Sequence, residues 1–180
     1  EMALQAMNDA LQQGQKYLNN CQRLILTFGT DYVFKHINQQ RIAANCHKVP
    51  ATHFHRYRLD IKDIAPPWVK LLRNLKAENS DLKVILSVSP VRHLRDGLVE
   101  NQRSKATLVL AMEEICRQLD FVHYFPAYEL LLDDLRDYRF YDQDLSHPND
   151  FAIDYIWNYF RQTYFDEPTA QIFQQVSKIL

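Results

Sequence analysis

Asp144-Leu-Ser-His147-Pro148 stands near the C-terminal end of the chain. A histidine changes charge near neutral pH, and a carboxylate that fixes its tautomer makes it a general base. An acid three residues before the histidine can turn back onto the ring nitrogen that faces away from a substrate, which is the logic of a hydrolytic triad. On this reading Asp144 and His147 are catalytic: His147 takes a proton and Asp144 orients it. The plainer reading of the same residues is a helix start, where Asp and Asn satisfy backbone N–H groups.

Two other clusters carry chemistry. In Asn45-Cys46-His47-Lys48, Asn45 can donate to an oxyanion and His47 can hydrogen-bond a substrate; the alternative is a polar loop that satisfies its own turns. Cys46 is a conceivable but weak nucleophile. In Ser87-Val-Ser89-Pro-Val-Arg92-His93, Ser89 ends an apolar run, but Pro90 follows where a nucleophile elbow needs a small residue. Ser89 is therefore read as holding its loop, with Arg92 and His93 lining a pocket or forming a solvated surface pair. His53 and His55 with Cys46 and His47 fit no zinc spacing, so no metal is assigned. No Gly-x-Ser or Gly-Asp-Ser turn occurs. The chain has a base and an orienter without an evident nucleophile.

The elements that must position these residues alternate. Residues 3–20 read as a helix with Leu4, Met7, Leu11 and Leu18 on one face. Leu24–Phe28 reads as a buried strand, apolar on both faces, ending at Gly29. Residues 30–59 read as a loop with short elements, and 60–79 as a helix with Pro66-Pro67 in or near its first turn. Lys83–Ser89 is a second strand. A helix over 105–119 is capped by Ser104, and Asp120–Phe125 is a third strand. A short helix near 127–136, the Asp144 loop over 137–148 and helices over 149–164 and 168–179 follow. Strand–helix alternation predicts a parallel sheet with helices on both faces, a three-layer α/β/α fold whose working residues gather at strand C-termini. Gly29, Ser89 and Pro126 lie at such ends.

Composition bounds the function. The 180 residues suit one domain. A net charge of −1 supplies no field to attract nucleic acid or anionic lipid, and no apolar run is long enough for a membrane helix. Three cysteines, Cys21, Cys46 and Cys116, argue against a disulfide framework and for a reducing, cytoplasmic setting. With 3 glycines there is no Gly-rich nucleotide loop, and no cofactor is expected.

The motifs together resemble one family. Leu26-Thr-Phe-Gly-Thr30 with Tyr32-Val33, Asn45–Lys48 with Pro50, and Ser87–His93 with Asp96-Gly97 are similar to stretches of the GSCFA family of bacterial proteins. So are Asn101 with Ser104-Lys105, Tyr124–Pro126 with Tyr128-Glu129, Arg136–Tyr141 and Asp144–Pro148. That family is a branch of the SGNH/GDSL-like hydrolases, and the resemblance runs over residues 24–180. It implies an SGNH-like fold and an esterase or acyl hydrolase acting on a small-molecule or carbohydrate ester, without metal. Asp144 and His147 match the family's acid–base pair. Gly29 opens the place where the wider superfamily has an oxyanion-hole Gly-x-Asn, but Asp31 stands for the Asn, so Asn45 is the substitute donor. The Gly-Ser-Cys-Phe-Ala stretch that names the family is missing, so the chain is expected to be one domain, the C-terminal two-thirds of a member, with the N-terminal strands and serine elsewhere. The alternatives are a non-catalytic ligand-binding module that has lost its nucleophile and a metal-dependent hydrolase.

Overall fold

The computed structural model describes residues 2–43, 46 and 48–178. In chain order they form α1 (Met2–Asn20), β1 (Arg23–Phe28), β2 (Tyr32–His36), β3 (Ile42–Ala43), β4 (Phe54–Arg58) and α2 (Ile61–Glu78). Then come β5 (Lys83–Val88), α3 (Gly97–Gln118), β6 (Val122–Phe125), α4 (Ala127–Glu129), α5 (Asp150–Tyr164) and α6 (Glu167–Val176). The fold is α/β, with a parallel sheet of order β1-β5-β6.

Strand β5 is the centre of this sheet, and its sequence explains why. Val84, Leu86 and Val88 point to one face, where Val69 and Leu72 of α2 and Leu108, Met112 and Ile115 of α3 close the main core. Ile85 points to the other, where Phe125 joins Tyr155, Ile156 and Phe160 of α5. A strand covered on both faces reads as an apolar run, as Val84-Ile85-Leu86 with Val88 does, and all of Val84–Val88 is buried.

The expectation that β1 is apolar and buried on both faces is corrected. Leu24, Leu26 and Phe28 pack toward the main core, but Arg23, Ile25 and Thr27 are exposed, Ile25 by 53%. Among the described residues β1 pairs only with β5, in the register Leu26↔Leu86 and Phe28↔Val88. Beside its outer face lies an apolar hollow of about 350 Å³, lined by Ile25, Thr27, Ile85, Trp157 and Phe160 among others. The predicted first helix forms as α1, yet none of its residues is buried, and Leu4, Met7 and Leu11 face solvent.

The short elements expected between residues 30 and 59 include three strands, β2, β3 and β4, that pair into a sheet. β3-β2-β4 make an antiparallel sheet, with Tyr32↔Arg58, Phe34↔Arg56 and His36↔Phe54 opposite one another. Its Arg–aromatic alternation has period two, the strand signal. Arg56 lies 3.8 Å above the Tyr32 ring and forks onto Asp96 at 2.8 and 2.7 Å.

The helices also add details, and α2 forms where expected. α2 starts at a capping box between Asp60 and Asp63, and Pro66 and Pro67 fall inside the helix just past its first turn. They leave the carbonyls of Lys62 and Asp63 without helical donors. α3 begins at Gly97, about two turns before Ser104, which is therefore a buried interior residue and not a cap. After α4 the backbone winds as a π-helix over Leu130–Leu135 and stops at Arg136, whose φ of 47° is left-handed.

Candidate active site

The Asp144–His147 segment sits in a loop closed on itself. Tyr141 bridges to Pro148, Asp142 N–H donates to His147 O at 2.9 Å, and Asn149 N–H to Phe140 O at 3.0 Å. The helix-start reading goes to a different residue: Asn149 caps α5, accepting from Ala152 N–H at 3.1 Å. Asp144 is left for the histidine. Its Oδ1 accepts from the N–H groups of Ser146 (2.8 Å) and His147 (3.0 Å), and its Oδ2 lies 2.5 Å from His147 Nδ1. Leu145 completes the turn at a φ of 54°.

The same contacts, led by the backbone N–H of His147, hold the Asp144 carboxyl down to about 2. A carboxylate pKa depressed on folding stabilises the native state above the unfolded pKa near 3.9, and that stabilisation is lost as pH falls toward 2. The carboxyl carbon of Asp144, followed by carbon-detected NMR, is therefore expected to titrate near 2. A midpoint near 4 would mean the turn is not formed in solution. Both side chains keep contact with solvent, at 58% and 50% exposure for His147 and Asp144. His147 Nε2, the nitrogen a base would use, has no partner among the described residues.

The structure joins this loop to the end of β5. Arg92 N–H donates to Ser146 O at 3.0 Å, and its guanidinium donates to Leu145 O at 3.1 Å. That guanidinium also lies 4.2 Å from the centre of the Tyr141 ring. Ser89 Oγ accepts from Val91 N–H at 3.2 Å, so it holds its turn. His93 feels the charge of His147, and its pKa is lowered by burial first, then by Lys105 and His147.

His93 rests on Gly29 at the end of β1. A Cβ at Gly29 would meet His93 Nε2 at 2.9 Å, closer than side chains approach. Gly29→Ala is thus expected to displace the His93 ring while changing stability by no more than about 1 kcal/mol, because only a solvent-reachable ring must give way. The His93 ring shifts in a two-dimensional histidine spectrum check this; an unmoved ring with folded protein would contradict the packing.

What sequence reasoning missed is the support beneath these residues. Asn101, Ser104 and Lys105 are 7%, 2% and 0% exposed on the inner face of α3. Asn101 Oδ1 accepts from His93 N–H at 2.8 Å, and Ser104 Oγ from Asp31 N–H at 2.9 Å. Lys105 Nζ donates to Gly29 O at 2.6 Å and to Ser89 O at 2.7 Å. The signal was present: three polar residues at i, i+3 and i+4 continue the stripe that Leu108, Ala111 and Met112 carry into the core. Asp31, expected from the resemblance to stand for an oxyanion-hole Asn, is no donor. Its carboxylate is 0% exposed and accepts from Arg58 at 2.9 and 2.8 Å.

Asn45 and His47 lie outside the described residues. None of the six serines hydrogen-bonds His147 through its side chain. Among the described residues no three His, Cys, Asp or Glu side chains converge as metal ligands, and no helix is long and apolar enough to cross a membrane.

A family model described as the GSCFA family matches residues 1–160. The match takes in α1, which the resemblance read from residue 24 onward had left out, and ends within α5. No curated protein and no solved structure matches the chain.

Proposed function

The chain belongs to the GSCFA family, and on that premise we propose that it is the acid–base part of a serine-type ester hydrolase, with the nucleophilic serine outside these 180 residues. The observation that carries the reading is the 2.5 Å contact between Asp144 Oδ2 and His147 Nδ1, with Nε2 unpartnered among the described residues. In the reaction the serine hydroxyl attacks the ester carbonyl while His147 Nε2 takes its proton. The tetrahedral oxyanion then collapses, and the leaving alkoxide takes that proton from His147. Water repeats the cycle on the acyl-enzyme and regenerates the serine.

Asp144 keeps the proton on Nδ1, which leaves Nε2 to accept and return the transferred proton. Arg92 and His93 contact the substrate, Gly29 and Ser89 shape the rim, and Asn45 and His47 add polar contacts from their loop. The substrate is a small-molecule or carbohydrate ester; the net charge of −1 is unsuited to nucleic acid. We also propose a cytoplasmic setting, supported by the odd number and wide spacing of the three cysteines in the sequence.

The test is hydrolysis of activated acyl esters by this chain and by a longer form carrying a Gly-Ser-Cys-type turn. The 180-residue chain is expected to be near background and the longer form active. No turnover in either, with ester or carbohydrate still bound, would leave the ligand-binding module instead. Turnover by this chain that vanishes in Ser89→Ala would show that the nucleophile was misassigned.

A further inference from the structure

A fully buried ammonium without a carboxylate partner is costly, and Lys105 is one. Its side chain is 0% exposed, and its hydrogen bonds go to two main-chain carbonyls, Gly29 O and Ser89 O. No ion pair involves it among the described residues. Burial pushes it down to about 8. The location of these two carbonyls accounts for it.

β1 and β5 run parallel up to Phe28↔Val88, and Ser89 N–H donates to Phe28 O at 2.8 Å. In a parallel ladder the next rung would run from Thr30 N–H to Ser89 O. That rung is absent. Ser89 O accepts from Lys105 instead, and the same ammonium holds Gly29 O. A trans peptide points its C=O and N–H in opposite directions. With Gly29 O turned onto the ammonium, Thr30 N–H must point away from it. That N–H has no partner among the described residues. The Thr30 side chain and the next residue are fixed independently by Ser104, through Oγ–Oγ contact at 3.2 Å and the Asp31 N–H bond.

We propose that Thr30 N–H is an oxyanion donor of this site and that Lys105 is the positioning residue that frees and aims it, by taking the place of the last rung between β1 and β5. The proposal rests on the ester-hydrolase reading for what the donor stabilises. It fills the role that Asp31, held by Arg58, cannot. An ammonium bound to the carbonyl also polarises the peptide and makes its N–H a stronger donor. The charge is held beneath the rim, where it adds to the field on a developing oxyanion without contacting it.

The protein as it stands can be tested by amide NMR. Thr30 N–H is expected to exchange with solvent within roughly tenfold of an unstructured peptide, while its ladder neighbour Ser89 is slower by about 10³ or more. Methylphosphonate, a tetrahedral oxyanion, is expected to move the Thr30 amide proton downfield more than any other in the chain. In Lys105→Met the rung to Ser89 O is free to form, so Thr30 becomes protected and loses its response; Lys105→Gln, which keeps an uncharged N–H donor group, retains part of it. If both variants are too unstable, the wild-type exchange and titration still decide whether the donor exists. A protected Thr30 that ignores the phosphonate overturns the proposal, and an equal response in folded Lys105→Met overturns the role of Lys105. A responsive Thr30 in a protein that hydrolyses no ester in any form sinks the ester reading and keeps the anion donor; active enzyme with a protected Thr30 does the reverse.

Discussion

His147→Ala, in a form of the protein that carries its serine, is expected to lower kcat for ester hydrolysis by about 10⁴ or more with little change in KM. Removing the base removes proton transfer but leaves binding and oxyanion donors, which alone sustain a residual acceleration. Asp144→Asn is the subtler probe. An amide oxygen still accepts from the N–H groups of Ser146 and His147, so the turn survives. Its NH₂ then faces Nδ1 as a donor, which favours the tautomer with the proton on Nε2, the wrong nitrogen for a base. In a buried triad this substitution costs on the order of 10⁴. Here Asp144 is 50% exposed, and water competes for the ring, so a loss of roughly 10²–10³ is expected. Steady-state kinetics on both variants check the pair. Equal, small losses below about tenfold would remove His147 from the chemistry.

The sheet was legible because β5 and β6 carry apolar runs that no helix period explains, and because parallel strands need crossovers of the length α2 and α3 supply. The Asp144–His147 pair was legible because its three-residue spacing closes a local turn. Three things were not. The exposure of Ile25 depends on what pairs with β1, which is not written in β1. The antiparallel sheet over residues 32–58 was hidden because its strands alternate aromatic with His, Lys and Arg, residues that read as loop until Asp31, Asp96 and Glu100 are seen opposite them. Buried Lys105 was hidden because a lysine at that helical position ordinarily reaches solvent. Its acceptors lie 76 and 16 residues away in the chain, and only the fold brings them together.

Arg58→Met tests the join between the two sheets, and it is expected to destabilise the protein by about 3 kcal/mol. Asp31 is 0% exposed and its carboxylate depends on Arg58, which reaches it at 2.8 Å and also contacts Glu100 at 3.2 Å. Removing one partner of a buried pair strands the other and typically costs about 3–5 kcal/mol. The low end applies because Arg58 keeps 27% exposure, so water can reach the vacated space. The pair Arg139–Asp137, at 73% and 46% exposure, is the control; Arg139→Met is expected to cost less than about 1 kcal/mol. Urea unfolding with unchanged slope measures both. Asp31→Asn added to Arg58→Met removes the stranded charge and is expected to recover much of the loss, which a purely packing role for Arg58 would not allow. It also places a Gly-x-Asn at residues 29–31, the pattern that the resemblance to SGNH-type hydrolases leads one to expect at this turn. A gain in hydrolysis in that double variant would mean the Asp31–Arg58 pair keeps a donor out of the site, whereas recovered stability without a gain leaves the oxyanion to backbone N–H groups at the end of β1.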